Sequence, residues 1–106
     1  MNGINSLILE GELSEISTQK NGKISVATLK LCVTRTIEKL KKIESYCFDV
    51  ECYSHLAETL EVQFEKGRGV RIVGRLSQSS SLGSDGKTHL RTFVIAEHIE
   101  FKPRKN

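Results

Sequence analysis

The sequence predicts an all-β domain with one helix. Three observations predict this class: five stretches enriched in branched apolar residues, turn-forming residues between them, and one stretch of helical spacing between the third and the fourth. The chain has 106 residues, eight glycines and one proline, the size and composition of one folded domain. A domain this small buries about 60–70% of its unfolded surface, so self-association is a natural source of further stability.

The first two predicted strands form a hairpin. Strand one begins at the apolar run Leu7 to Leu9, and we expect it to bend at Gly11. The dipeptide Asn21-Gly22 follows, which readily adopts the two positive φ angles of a tight turn. A clean alternation from Ile24 to Val33 then predicts the second strand.

The stretch 34–45 allows two interpretations. Its apolar residues have the spacing of a short amphipathic helix, but it lies between two strand patterns and is equally consistent with an extended hairpin loop. Residues 46–53 alternate again and predict the third strand. We expect its core face to consist of Tyr46, Phe48, Val50 and Cys52.

The helix follows the third strand directly. Ser54 is placed to cap it, and apolar residues recur at every fourth position up to Phe64. Gly67 is expected to end it in a left-handed conformation.

Two further strands complete the pattern. The fourth begins at Val70 and is interrupted by Gly74, and the fifth covers about His89 to Phe101. Between them, the composition of the stretch Ser79 to Lys87 predicts a flexible loop.

The order of elements matches an OB-fold, a five-stranded Greek-key barrel with the helix between strands 3 and 4. An open five-stranded sheet with one covering helix fits the same order. We assign the domain to residues 1–102, followed by a short basic C-terminal end at 103–106.

Catalysis, metal binding and membrane insertion have little support. Cys32, Cys47 and Cys52 form no paired motif, and no nucleophile elbow is present, so we expect no catalytic residue, metal or cofactor. An odd number of cysteines without a CxxC pair predicts reduced packing thiols in a cytoplasmic protein. No stretch approaches the roughly 20 apolar residues that cross a bilayer.

The formal net charge is +3, and the basic residues fall into three clusters. The stretch 30–42 carries five cations and one glutamate, a second cluster surrounds Lys66, and a third contains Lys87, His89 and Arg91. Such clusters attract phosphate groups, although a solvated loop has the same composition.

Tyr53 is the best candidate for stacking on a nucleic acid base. The chain has six aromatic residues and no tryptophan, and alternation assigns Phe48 and Phe64 to the core. Tyr53 falls on the opposite face of its strand, where a subunit contact is the alternative role.

Five stretches in order resemble bacterial single-stranded DNA-binding proteins: INSLILEGEL, NGKISVATLKLCVTR, FDVECYSHLAETL, FEKGRGVRIVGRL and DGKTHLRTFVIAEHIEF. The resemblance covers nearly the whole chain. It implies an OB-fold subunit that binds single-stranded DNA with little sequence preference in replication, recombination or repair, and performs no chemistry. It further implies a homo-oligomer, a tetramer more than a dimer, in the cytoplasm at the nucleoid, with possible replication or repair proteins as partners.

The resemblance also assigns individual positions. Tyr53 matches a stacking aromatic and Lys66 a basic position, whereas Ile37, Cys47 and Ser81 stand where the family commonly has tryptophan. The basic stretch and the Ser/Gly stretch match two extended hairpins that embrace DNA. Because the sequence ends in basic residues, we expect a short form without the acidic C-terminal tail.

The chain also resembles primosomal replication protein N, an OB module that acts mainly through protein partners in replication restart, and this is the alternative interpretation. The acidic residues Asp49 and Glu51 on the expected DNA-facing side of strand three favour such a protein-interaction role. On the first interpretation, we expect nucleic acid contacts from Lys30, Arg35, Lys39, Lys41, Lys42, Tyr53, Lys66, Lys87, His89 and Arg91.

Overall fold

Alternation of branched apolar and polar residues produces five long strands in this protein. A computed structural model describes residues 1–104; Lys105 and Asn106, the last residues of the predicted basic end, lie outside the described residues. Within that range, the strands are β1 (Leu7–Asn21), β2 (Ile24–Ile37), β3 (Lys42–Tyr53), β4 (Gly69–Leu82) and β5 (Thr88–Phe101). Helix α1 (Ser54–Gln63) joins β3 to β4, and a 3-10 turn at Glu38–Leu40 joins β2 to β3.

The sheet closes because β1 pairs with both β2 and β4. The strand order is β1-β2-β3-β5-β4, and neighbours are antiparallel except β3 and β5, which are parallel. This is the predicted OB-fold, with the helix between the third and fourth strands. The open-sheet alternative is therefore wrong.

The core fills the inside of the barrel. Burying one side chain of the size of leucine or valine contributes about 1.5–3 kcal/mol. Leu60 of α1, which is 1% exposed, joins the core cluster from the helix. The strands contribute Leu13, Leu31, Val50, Ile72 and Val94, each no more than 3% exposed.

The turn between β1 and β2 differs by one residue from the predicted one. Asn21 pairs with Ile24 as the last residue of β1, so the turn consists of Gly22 and Lys23. Gly22 has a φ of +66°, at the first central position that a II′ turn reserves for glycine.

Gly11 serves close packing of strands instead of a bend. The irregularity in the β1–β2 ladder lies between Leu13 and Glu15. A Cβ atom at Gly11 would overlap the carbonyl oxygen of Cys32 on β2. The absence of a side chain therefore lets the two strands approach each other.

Of the two predictions for the ends of α1, the cap at Ser54 is wrong and the left-handed Gly67 is confirmed at a slightly different place. The predicted cap is wrong, because Ser54 is the first helical residue, with a φ of +56°, and Tyr53 occupies the N-cap position without a side-chain capping bond. Gly67 is left-handed as predicted, with a φ of +89°. It lies in the turn after the helix, because α1 already ends at Gln63.

Two pairs of strands extend beyond the barrel as arms. The first arm (residues 33–46) is formed by β2 and β3, which pair only with each other there. This confirms the extended hairpin for the stretch 34–45 and excludes the helix. The second arm (residues 78–92) is formed by β4 and β5. The predicted loop from Ser79 to Lys87 is too long, because β4 continues to Leu82 and the turn is confined to 83–87.

The predicted core face of β3 is wrong in its first half. Val50 and Cys52 are buried, but Tyr46 and Phe48 are 52% and 40% exposed. Their side chains lie where β3 leaves the barrel, since β3 pairs with β5 only at Val50 and Glu51. No opposite wall of the barrel covers them in the described residues.

The prediction of free thiols is also wrong for two of the three cysteines. Cys32 and Cys47 lie directly opposite each other on β2 and β3, with Cα atoms 4.0 Å apart, and form a disulfide. The expectation of three reduced packing thiols is wrong for this pair. Cys52 is free and buried in the core, where burial raises the pKa of its thiol to about 11.

Candidate nucleic-acid interface

Several predicted site residues share one side of the barrel. Because Val50 and Cys52 point inward, Asp49, Glu51 and Tyr53 point outward from β3. The register of the neighbouring strands completes this surface. We call it the outer face, and it consists of Lys30, Asp49, Glu51, Tyr53, Arg91 and Phe93.

A network of ion pairs crosses the outer face. Lys30 lies opposite Asp49, and its Nζ is 3.1 Å from Asp49 Oδ1. Arg91 Nη1 donates a hydrogen bond of 2.9 Å to Glu51 Oε1, and Arg91 Nη2 is 3.7 Å from Asp49 Oδ2. The charges of these two cations are therefore opposed by two carboxylates.

Tyr53 is linked to the same network. Its hydroxyl donates a hydrogen bond of 2.6 Å to Glu51 Oε2, and this bond raises the pKa of Tyr53 above its usual value. The side chain is 38% exposed on the predicted side of β3. The hydrogen bond restricts the orientation of the ring while part of the ring remains open to solvent.

Phe93 and its contact with Arg91 were not predicted from the sequence. The ring is 8% exposed, yet it does not belong to the core cluster inside the barrel. It alternates with the inward-pointing Val94, so it lies on the outer face. The guanidinium carbon of Arg91 lies 4.4 Å from the centroid of the ring and covers it.

The cations at the tip of the first arm are less closely paired with carboxylates than those of the outer face. Within residues 1–104, Arg35, Lys39 and Lys41 have no carboxylate oxygen within 4.0 Å. Lys42 Nζ is 3.8 Å from Glu44 Oε1 and its side chain is 62% exposed. An exposed pair at that distance contributes little free energy, so Lys42 also remains available to an anion.

The second arm holds two of the predicted residues at its turn. His89 Nε2 is 3.1 Å from Asp85 Oδ1, and the Lys87 backbone N–H donates to the same oxygen at 2.9 Å. The hydrogen bonds from Lys87 and His89 lower the pKa of Asp85. The ammonium group of Lys87 has no carboxylate within 4.0 Å in the described part of the chain.

Lys66 is separate from the other predicted residues. It lines a cleft of about 500 Å³ with residues of β1, the start of β4 and the segment after β5. The charges in this cleft are mixed, since Glu10 and Glu65 line it together with Arg68. None of the other predicted contact residues lines it.

Residues 1–104 contain neither a group of metal ligands nor a helix that could span a membrane. No three histidine, cysteine, aspartate or glutamate side chains are grouped so that they could hold a metal ion. Neither helix in this range has the length and apolar character that crossing a bilayer requires.

Comparison with known proteins identifies relatives along the whole described fold. The model of the Single-strand binding protein family matches residues 4–102. The chain is 29% identical to the single-stranded DNA-binding protein of Helicobacter pylori over 108 aligned positions, which cover 96% of this chain and 60% of that protein. It is 28% identical to single-stranded DNA-binding protein 2 of Staphylococcus aureus, covering 97% of this chain and 75% of that protein.

A third relative matches a shorter stretch of the chain at higher identity. The chain is 39% identical to the single-stranded DNA-binding protein of Aquifex aeolicus over 56 positions, 53% of this chain and 37% of that protein. The chain thus spans less than two thirds of the Helicobacter and Aquifex proteins. Because the family model matches almost its full length, the chain belongs to the single-strand binding protein family.

Proposed function

We propose that this domain binds single-stranded DNA with little sequence preference, without catalysing a reaction, in DNA replication, recombination or repair. The family match over residues 4–102 carries this proposal. The two arms and the outer face supply the contacts that such binding needs: cations for the backbone and flat groups for the bases.

Contacts with the phosphates come mainly from the arms. Arg35, Lys39, Lys41 and Lys42 on the first arm and Lys87 on the second are free of close carboxylates in the described residues or only weakly paired. Every nucleotide carries the same phosphate, so these contacts do not distinguish sequences. His89 supplements them only where a phosphate displaces Asp85.

Contacts with the bases come from the outer face. Tyr53 is exposed and oriented by Glu51, which suits stacking on a base. Ile37, Cys47 and Ser81 stand where the family commonly has tryptophan, and each stacked base contributes about 1–3 kcal/mol. Binding by this chain therefore depends more on phosphates and weakens steeply with salt.

A direct binding measurement tests the proposal. Fluorescence anisotropy compares oligo-dT with a duplex of equal length at two salt concentrations. We expect tighter binding of the single strand at both. Equal affinity for the two would contradict a function in single-strand binding.

We further propose that the protein acts as a homo-oligomer, a tetramer rather than a dimer, in the cytoplasm at the nucleoid. Large apolar side chains on both arms support association, among them Ile43, Leu82 and Leu90, which are 71%, 77% and 71% exposed. Light scattering over a range of concentrations measures the state. A monomer at all concentrations would contradict this part.

A role through protein partners, as in primosomal replication protein N, is the second candidate. Asp49 and Glu51 on the outer face favour it, because carboxylates repel phosphates. A pull-down with nuclease treatment distinguishes the two roles. Capture of a replication or repair protein by a domain without measurable affinity for oligo-dT would favour the second.

A further inference from the structure

Arg91 is poorly placed to bind a phosphate. Its Nη1 donates to Glu51 at 2.9 Å, and its Nη2 lies 3.7 Å from Asp49. A phosphate at the same nitrogens would have to displace Glu51 and approach two carboxylates. The charge that made this residue a predicted phosphate contact is therefore already compensated.

Its flat surface, however, is fixed and partly open. The N–H groups of a guanidinium lie in its plane, so Glu51 and Asp49 hold the rim and leave the two faces free. Phe93 covers one face at 4.4 Å. The side chain of Arg91 is nevertheless 41% exposed, which leaves the opposite face toward solvent.

We propose that Arg91 is a base-stacking platform: a base of the single strand lies on the exposed face of the guanidinium, and Phe93 supports the other face. This inference rests on the proposed single-strand binding and gives Arg91 a role other than phosphate contact. Bases stack on arginine planes as they do on aromatic rings. Because Phe93 and the carboxylates already hold the side chain, stacking costs little conformational entropy.

The substitution Arg91→Lys separates stacking from charge. Lysine keeps the positive charge beside Glu51 and Asp49 but lacks the planar group. We expect Arg91→Lys to weaken binding of oligo-dT by about 5- to 150-fold, the range of one stacked base, with the salt dependence unchanged. The matched control is Arg71→Lys, an arginine of similar exposure (48%) that is paired with Glu10 and lies outside the predicted DNA contacts, and this variant should change affinity less than about twofold.

An abasic oligonucleotide of the same length gives the second comparison. It retains the phosphates and lacks the bases, so wild type and Arg91→Lys should bind it equally. Thermal unfolding of both variants checks that they fold. A third readout needs no substitution: the side-chain NMR signal of Arg91 should shift with oligo-dT and stay unchanged with the abasic strand.

The outcomes separate this inference from the proposed function. If wild type binds oligo-dT and Arg91→Lys binds it within twofold of wild type, charge is sufficient and the platform is wrong. Equal weakening on the abasic strand would also overturn it. If wild type binds no single strand at all, the proposed function and the platform fall together.

Discussion

The salt dependence of DNA binding should report which cations the fold leaves free. Each phosphate contact on a single strand contributes about 0.7 to the slope of log affinity against log salt. Nine basic residues were predicted from the sequence, which gives a slope of about −6 if all bind phosphate. Five of them lie on the arms and are unpaired or only weakly paired in the described residues: Arg35, Lys39, Lys41, Lys42 and Lys87. If these five alone bind phosphate, the slope is about −3.5.

The double substitution Lys39→Gln with Lys41→Gln tests this count. Removing two of five contacts should reduce the slope to about −2.1. Between 50 and 200 mM salt, the affinity of wild type should then fall about 100-fold and that of the double variant about 20-fold. Fluorescence anisotropy with oligo-dT over this salt range measures both slopes.

The matched control is Lys20→Gln with Lys23→Gln, at the turn between β1 and β2. It removes the same net charge from a part of the barrel that carries none of the predicted contacts. We expect its slope to equal that of wild type. If both double variants lower the slope equally, the total charge of the protein matters and the placement on the first arm does not.

Three further substitutions test stacking, the disulfide and the barrel. Tyr53→Ala should weaken oligo-dT binding about 5- to 150-fold in anisotropy, whereas Tyr53→Phe, which keeps the ring, should bind within about twofold of wild type. Replacing Cys32 and Cys47 by serine should lower the free energy of unfolding in urea by up to about 3 kcal/mol, since the cysteines are 15 residues apart; equal stability would show that the bond constrains nothing in the unfolded chain. Gly11→Ala should destabilise by roughly 1–3 kcal/mol because its Cβ meets the backbone of β2, and Gly3→Ala, with open space around it, should be neutral in the same assay.

The order of the elements could be predicted because local patterns determine it. The alternation of apolar and polar residues predicted β5 almost to its ends. The recurrence of apolar residues at every fourth position placed Leu60 on the buried side of α1. Each of these signals lies within one strand or helix, because side chains return to the same face every 2 residues in a strand and every 3.6 residues in a helix. The closure of the barrel did not follow from periodicity, since the same order also fits an open sheet.

Features that depend on the pairing register of two strands were not predicted. Cys32 and Cys47 become neighbours only when the hairpin centres between Ile37 and Lys42, and the stretch 34–45 also allowed a helix. With that register, the two cysteines pair opposite each other without further assumption. The exposure of Phe48 was missed for a related reason: alternation gives the face of a strand but not the point where the strand leaves the barrel.

A count of basic residues along the sequence overestimates the surface that meets phosphates, because folding pairs several of them. Lys30 and Arg91 are opposed by Asp49 and Glu51, while the tip of the first arm stays unpaired in the described residues. In the proposed binding mode, phosphates contact the free cations of the arms and bases contact Tyr53 and Arg91 on the outer face. Salt screens the phosphate contacts far more than the base contacts. The affinity that remains at high salt should therefore come from Tyr53 and Arg91, and it is there that their substitutions should have the largest relative effect.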